Sequence, residues 1–229
     1  MMERAKVILH MMISIDGKIE GYFADAPLTG ACGEVYDELI PTLGDAEGTG
    51  SYTACLYLAG GDGDYSAFKD TDVPEGDFPV VSENRKYLFC FDRHGKCAWE
   101  GPLSGDKQVV EVVTREVPKE FLAYLRSKNI SYIFAGEHDL DIPGSLVKIH
   151  ELFGVKTLVL CGGATINGAF FKAGVVDGIS QVIVPYLEGN HDQKGTAETD
   201  VFLPKAYLLK KAEPVGKGGV HLLYEAEKK

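Results

Sequence analysis

Leu158-Val159-Leu160-Cys161-Gly162-Gly163-Ala164-Thr165-Ile166-Asn167-Gly168 decides the fold. A short apolar run passes through two glycines directly into a helical pattern, Ala164 to Ala173, that stops at Gly174 as a C′ glycine. The glycine pair lets backbone approach a ligand closely, and the first amides of a helix make an anion site suited to a pyrophosphate. In open parallel sheets ligands gather at the carboxyl ends of strands, where this turn falls. The same pair serves tight strand–helix packing equally well. It is not a Walker A loop, since no Gly-Lys-Ser/Thr follows, nor the early GxGxxG of a dinucleotide-binding domain.

Outward from this turn, strands and helices alternate. Strands are expected over 6–15, 54–59, 86–91, 108–113, 130–134, 157–161 and 179–184, with helices over 33–43 (stopped by Pro41), 118–128, 144–153 and 164–173. In the 144–153 helix, Leu146, Ile149, Leu152 and Phe153 are expected inward. Residues 44–50 read as a Gly-rich irregular stretch, and 70–79 as an acidic surface loop. Leu208-Leu209 and 220–224 read as late strands of a hairpin-like tail. The alternation implies an α/β fold with a largely parallel sheet, and the tail an antiparallel edge. No linker or repeat divides the chain, so residues 1–229 are expected to form one domain.

Composition narrows the function. The 229 residues are 45% hydrophobic and 25% charged, with a net charge of −11. That balance, with no basic run, argues against a nucleic-acid partner, which needs clustered Lys and Arg. One or two local cations would still suffice for a phosphorylated small ligand. Five scattered cysteines, none in a CxxC pair, read as thiols in a reducing compartment, and no Cys/His spacing suggests a metal site. The apolar N-terminal run is too short for a membrane span, so the expected location is cytoplasmic.

Two motifs in order carry a family resemblance. Ser14-Ile15-Asp16-Gly17-Lys18-Ile19 resembles the S-x-D-G-K/R-x opening of the RibD C-terminal reductase family. Gly162-Gly163-Ala164-Thr165-Ile166-Asn167 followed by Gly174-Val175-Val176-Asp177 resembles its Gly-Gly-x-x-x-Asn turn and the segment beyond. Ile183-Val184-Pro185 with Gly189 is similar to its next strand. The resemblance implies a dihydrofolate reductase-like three-layer α/β/α fold, NADPH as cofactor, a small pyrimidine- or pteridine-type substrate and a homodimer. By the same resemblance Gly162, Gly163, Ala164, Thr165, Ile166 and Asn167 would hold the diphosphate, Met12 would lie beside the nicotinamide, and Ala135-Gly136 would pack on the cofactor. Arg93 would meet the 2′-phosphate, a task its bidentate fork suits. Ser14, Asp16 and Lys18 would form the catalytic loop, and Cys161 would face the substrate. Read without the family, Asp16 is equally a turn cap, and Lys18 and Arg93 ordinary surface residues. His94, His138 and His150 read as surface histidines and Trp99 as a packing residue.

The pattern departs from the family in three places. Cys161 stands where the family often carries Glu, Gly60-Gly61-Asp62-Gly63-Asp64 replaces a Gly-Arg-containing cofactor turn, and residues 20–50 lack the Trp/Arg pattern associated with a phosphoribosyl substrate. Two functions follow: an NADPH-dependent reductase similar to the 5-amino-6-(5-phosphoribosylamino)uracil reductases, or a non-catalytic NADP-binding protein on the same fold.

Overall fold

A central strand of alternating burial, Lys6–Ile13 (β1), organises the first of two units into which the backbone contacts of this computed structural model divide. Residues 3–81 and 83–227 are described. The first unit comprises Lys6–Gly44 and Thr157–Lys229, the second Asp45–Lys156 with the N-terminal residues through Ala5.

In the first unit, β1 lies between two strands parallel to it, Thr157–Leu160 (called β7 in chain order) and Gly178–Ile183 (β8). Val7 and Leu9 have no exposed surface, as expected for a strand covered on both faces. Tyr207–Val215 (β9) and Gly219–Ala226 (β10) continue the sheet antiparallel, in the order β7-β1-β8-β10-β9. The antiparallel edge expected of the tail is therefore present. On β9, Leu208 and Leu209 are half-exposed. Helix Thr29–Leu43 (α1) starts four residues before the expected boundary and carries Pro41 inside its last turn. Proline there has no N–H for the Asp37 carbonyl, and the helix runs only two residues further before it ends. Helix Ala164–Lys172 (α5) follows β7 as expected, and Gly174 after it takes φ +70°. Beneath α1, the His10 side chain is fully buried and bonded to Ser180 and the Tyr36 carbonyl.

In the second unit, Ala46–Gly50 (β2), Tyr87–Phe91 (β3), Lys107–Val113 (β5) and Ser131–Phe134 (β6) run parallel in the order β2-β3-β5-β6. A two-residue strand, Leu103–Ser104 (β4), pairs antiparallel with β5. Helices Ser51–Tyr57 (α2), Lys119–Ser127 (α3) and Ile142–Phe153 (α4) complete it. Three expectations are corrected. The 44–50 stretch is not irregular but holds β2, whose small residues are buried by their neighbours, so packing overrides weak intrinsic strand preference. The apolar run 54–59 is not a strand: it falls mostly in α2, which buries Ala54 and leaves Leu56 and Tyr57 exposed. A short apolar run does not by itself distinguish a strand from one helical face. On α4, Leu146, Ile149 and Phe153 are buried but Leu152 faces outward. Trp99 packs in a core with Phe121, Leu125 and Tyr132.

Candidate functional site

In the first unit the carboxyl ends of three parallel strands gather the residues of interest. β1 ends into Ser14–Lys18, β7 into Cys161–Gly163, and β8 into the segment after Ile183. Gly162 has φ +95°, and a Cβ there would sit 2.9 Å from the Met11 sulfur. Only glycine takes this conformation without strain, so the backbone runs bare at the turn, where the Gly162–Gly163 peptide is cis. Asn167, one turn into α5, has no exposed surface; its Nδ2 donates to the Thr196 carbonyl at 2.7 Å. Its Oδ1 is buried with no donor among the described residues. Cys161 is half-buried, and Met12 packs partly buried beside Phe23, Val182 and Val184.

The Ser14–Lys18 loop is laced to the segment that follows β8. Ser14 Oγ donates to Asp16 Oδ1 at 2.6 Å, and Asp16 accepts from the amides of Glu188 and Gly189 at 3.0 and 2.9 Å. The Ser14 hydroxyl and these two amides hold the Asp16 carboxyl far below the usual carboxylate range. Lys18 Nζ donates to the Gln193 carbonyl at 2.6 Å, and the Ile19 amide to the Lys194 carbonyl at 3.1 Å. The same segment then reaches α5. The Glu198 amide donates to the Ala164 carbonyl at 3.0 Å, and the Thr165 hydroxyl donates to Glu198 Oε2 at 2.8 Å. Lys194 also pairs with Glu198 at 3.0 Å. Thr165 and Lys194 together hold the Glu198 carboxyl below its ordinary value. A Cβ on Gly168 would sit 2.0 Å from the Glu198 carbonyl oxygen, so glycine is what lets the segment seat on the helix. Ser14, Asp16, Lys18 and the Gly162–Asn167 turn thus belong to one connected network.

In the second unit, carboxyl ends of parallel strands gather another set. Arg93 follows β3, Thr114 and Arg115 follow β5, and Ala135 and Gly136 follow β6. The Thr114 hydroxyl donates to the Arg93 carbonyl at 2.9 Å, and the Arg115 amide to the Gly136 carbonyl at 3.1 Å. Arg93, half-exposed, forms an ion pair with Asp139. Ala135 is almost fully buried. The Gly60–Asp64 segment is tied to the turn after β3, with the Gly60 amide donating to the Ala98 carbonyl at 2.9 Å. The sequence singled out Arg93, Ala135 and Gly136 in this set but not Arg115, which the fold places beside them. Nor did the sequence single out Lys194, Thr196 and Glu198, whose polar, Gly-bearing stretch carries no motif and becomes meaningful only once folded onto α5.

Comparison with known proteins places this arrangement. The sequence profile described as the RibD C-terminal domain matches residues 86–220. A 2,5-diamino-6-ribosylamino-4(3H)-pyrimidinone 5′-phosphate reductase of Methanothermobacter thermautotrophicus is 30% identical over 92 residues. That match covers 40% of this chain and 42% of the relative, so it spans less than half of the relative's length. Among solved structures, a pyrimidine reductase-like protein of Corynebacterium diphtheriae shares the fold with TM-score 0.71 at 13% identity, covering 98% of this chain and 93% of that one. A riboflavin biosynthesis reductase of Saccharomyces cerevisiae does so with TM-score 0.65 at 15% identity, over 98% and 90% of the two chains. The fold is therefore that of RibD-type reductases, as the sequence resemblance implied. Among the described residues no helix is long and apolar enough to cross a membrane.

Proposed function

This chain belongs to the RibD C-terminal domain family, and on that footing we propose that it is an NADPH-dependent reductase of a small pyrimidine-type substrate carrying a ribosylamino group. The observation that carries the reading is the Gly162–Asn167 turn at the end of β7, joined by one hydrogen-bonded segment to Ser14, Asp16 and Lys18. The pyrimidinone phosphate reductase relative supports the substrate class and favours a reductase over a dinucleotide-binding protein without activity.

The residues present fit a nicotinamide dinucleotide. The Met11 side chain fills the space a Gly162 side chain would take, so glycine is what lets the turn lie close on β1, and the unpaired Asn167 Oδ1 offers a buried acceptor to a ligand hydroxyl. The amides of Gly163, Ala164, Thr165 and Ile166 would face the diphosphate at the start of α5, where the helix dipole favours an anion. Met12 would line the nicotinamide position, Ala135 and Gly136 would pack on the cofactor, and Arg93 would take the 2′-phosphate that distinguishes NADPH from NADH. When bound, the cofactor supplies hydride to an electrophilic substrate carbon. The protein's own part is orientation and exclusion of water. Ser14, Asp16 and Lys18 act as positioning residues, because their polar atoms are spent on holding the loop after β8 in place. Cys161, at the end of β7, is the position that faces substrate. A cytoplasmic homodimer with Leu208 and Leu209 of β9 in the contact completes the proposal; sedimentation of wild type against a Leu208→Lys/Leu209→Lys double variant tests it.

Titration of purified protein with NADPH and NADH, read by nicotinamide fluorescence, is the primary experiment. Selective NADPH binding that falls about tenfold or more in Arg93→Ala is expected, the loss typical of a hydrogen bond to a charged group. Substrate-dependent NADPH consumption with ribosylamino-pyrimidine phosphates is the second expectation. No binding of either dinucleotide would sink the reading, and binding without turnover of any pyrimidine or pteridine would leave only the cofactor assignment standing.

A further inference from the structure

The interior of the Asp45–Lys156 unit gathers three of the five cysteines around a buried carboxylate. Cys55 stands on α2, Cys90 on β3, Cys97 in the turn beyond β3, and Glu111 on β5. The Cys97 sulfur lies 3.7 Å from that of Cys90 and 3.2 Å from that of Cys55. The ligand atoms of Cys90, Cys97 and Glu111 all fall within 4.8 Å of one another, and all three residues have no exposed surface. Cys55 is only half-buried and gives the cluster an approach from outside.

Glu111 supplies an independent sign that something is to be bound. The Trp99 indole N–H donates to Oε1, but Oε2 is buried without a hydrogen-bond partner among the described residues. A buried polar oxygen left unpaired in a hydrophobic core is costly. Close by, Asp92 is a second carboxylate, but its oxygens are already satisfied by the amides of His94, Gly95, Lys96 and Cys97, which leaves Glu111 as the one with an oxygen to spare. Sulfur and carboxylate oxygen together are the donor types that suit a soft divalent cation.

We propose that Cys55, Cys90, Cys97 and Glu111 form a binding site for a thiophilic divalent cation of the zinc class. Zinc–sulfur bonds of about 2.3 Å in a tetrahedron place ligand sulfurs about 3.8 Å apart. The Cys90–Cys97 pair already has that spacing. Cys55 is the outer member: its sulfur stands 3.2 Å from that of Cys97 but outside the group formed by Cys90, Cys97 and Glu111, and a side-chain rotation on α2 brings it onto the cation. Four protein ligands leave no open coordination position, so the site is structural: it clamps α2 and the turn after β3 to the β3–β5 core. The motif is invisible in the sequence because the ligands come from four separate elements rather than a spaced pair.

The test uses the full-length protein, purified with a thiol reductant and stripped by a chelator, then titrated with Co(II) and Zn(II). One equivalent of Co(II) with an intense sulfur-to-cobalt absorption band, displaced by Zn(II), is the expected result, together with a rise in melting temperature on adding Zn(II). Cys97→Ser should abolish the band, and Cys55→Ser, at a half-exposed position that tolerates change, should weaken binding at least tenfold. Glu111→Gln should weaken it while leaving the sulfur band, whereas Cys32→Ser, in the other unit, should match wild type. Should Cys97→Ser fail to fold, Cys55→Ser and Glu111→Gln decide the matter. Absence of the band, uptake unchanged in Cys55→Ser, or oxidation of Cys55 and Cys97 to a disulfide in place of any metal uptake would each overturn the proposal. None of these readouts depends on reductase activity.

Discussion

Replacing His10 by glutamine should flatten the acid limb of this protein's stability curve. His10 is fully buried on β1, with Nε2 2.9 Å from the Tyr36 carbonyl and Nδ1 2.9 Å from the Ser180 hydroxyl. A carbonyl can only accept, so Nε2 carries the hydrogen and Nδ1 accepts from Ser180. The Ser180 oxygen in turn accepts from His221 Nε2 at 2.9 Å. A proton added at His10 Nδ1 would leave Ser180 between two donors, with no acceptor for its own hydrogen. Burial chiefly, with His221 nearby, lowers the His10 pKa from 6.5 to about 4. Because the folded value is the lower one, the unfolded chain takes the proton first as pH falls. The contribution of neutral His10 is complete above pH 6.5 and is lost progressively between 6.5 and about 4. At about 1.4 kcal/mol per pH unit, the full loss is about 3 kcal/mol. Glu111, whose carboxyl is raised by burial, changes stability in the opposite sense over part of this range, so the whole-protein curve mixes the two. The difference between wild type and His10→Gln removes that common part, and glutamine keeps a donor for the Tyr36 carbonyl. Urea unfolding followed by circular dichroism at pH 7 and pH 4.5 should show wild type losing about 2.5 kcal/mol more than the variant, a relative midpoint change of about 1 M. Equal losses in the two proteins would refute the assignment of a neutral, hydrogen-bonded His10.

Gly162→Ala puts a side chain at φ +95° against the Met11 sulfur, at a strain cost of roughly 1–3 kcal/mol; NADPH affinity should fall at least tenfold while circular dichroism shows the fold retained. Asp16→Ala removes the acceptor for the Glu188 and Gly189 amides, so limited proteolysis within 186–196 should accelerate and the substrate KM rise more than kcat falls, with Asp16→Asn in between. Glu198 places a carboxylate at the first turn of α5, where an anionic ligand is proposed to bind. Glu198→Gln, which keeps the Thr165 contact and removes the charge, should tighten NADPH binding several-fold at low salt, with the gain shrinking at high salt; unchanged or weaker binding would show that the diphosphate does not approach this turn.

The elements legible in the sequence are those whose signal is local. The β7–α5 passage announces itself through an apolar run, a glycine pair and a C′ glycine, and the structure places all three as read. The Ser14–Lys18 loop was legible as a motif, but its partners were not, because Glu188, Gly189 and Gln193 lie more than 170 residues away in the chain. Between Gly44 and Tyr57 local signals mislead. Glycines that would weaken an isolated strand are tolerated in β2 because its neighbours bury it, and an apolar run read as a strand is largely the last turn of a short helix.

The cysteines show the same limit in its sharpest form. No two of Cys55, Cys90 and Cys97 stand at a spacing that marks a ligand pair, and a reading by spacing finds none. Parallel pairing of β3 with β5 sets Cys90 directly across from Glu111, and the turn stitched together by Asp92 swings Cys97 back over them. Neither step is encoded within any window of sequence; each depends on a register chosen by the apolar residues around it. A donor set assembled this way is visible only as an unpaired oxygen among sulfurs, which is why the carboxylate of Glu111, rather than any cysteine motif, is the residue that argues for a bound cation.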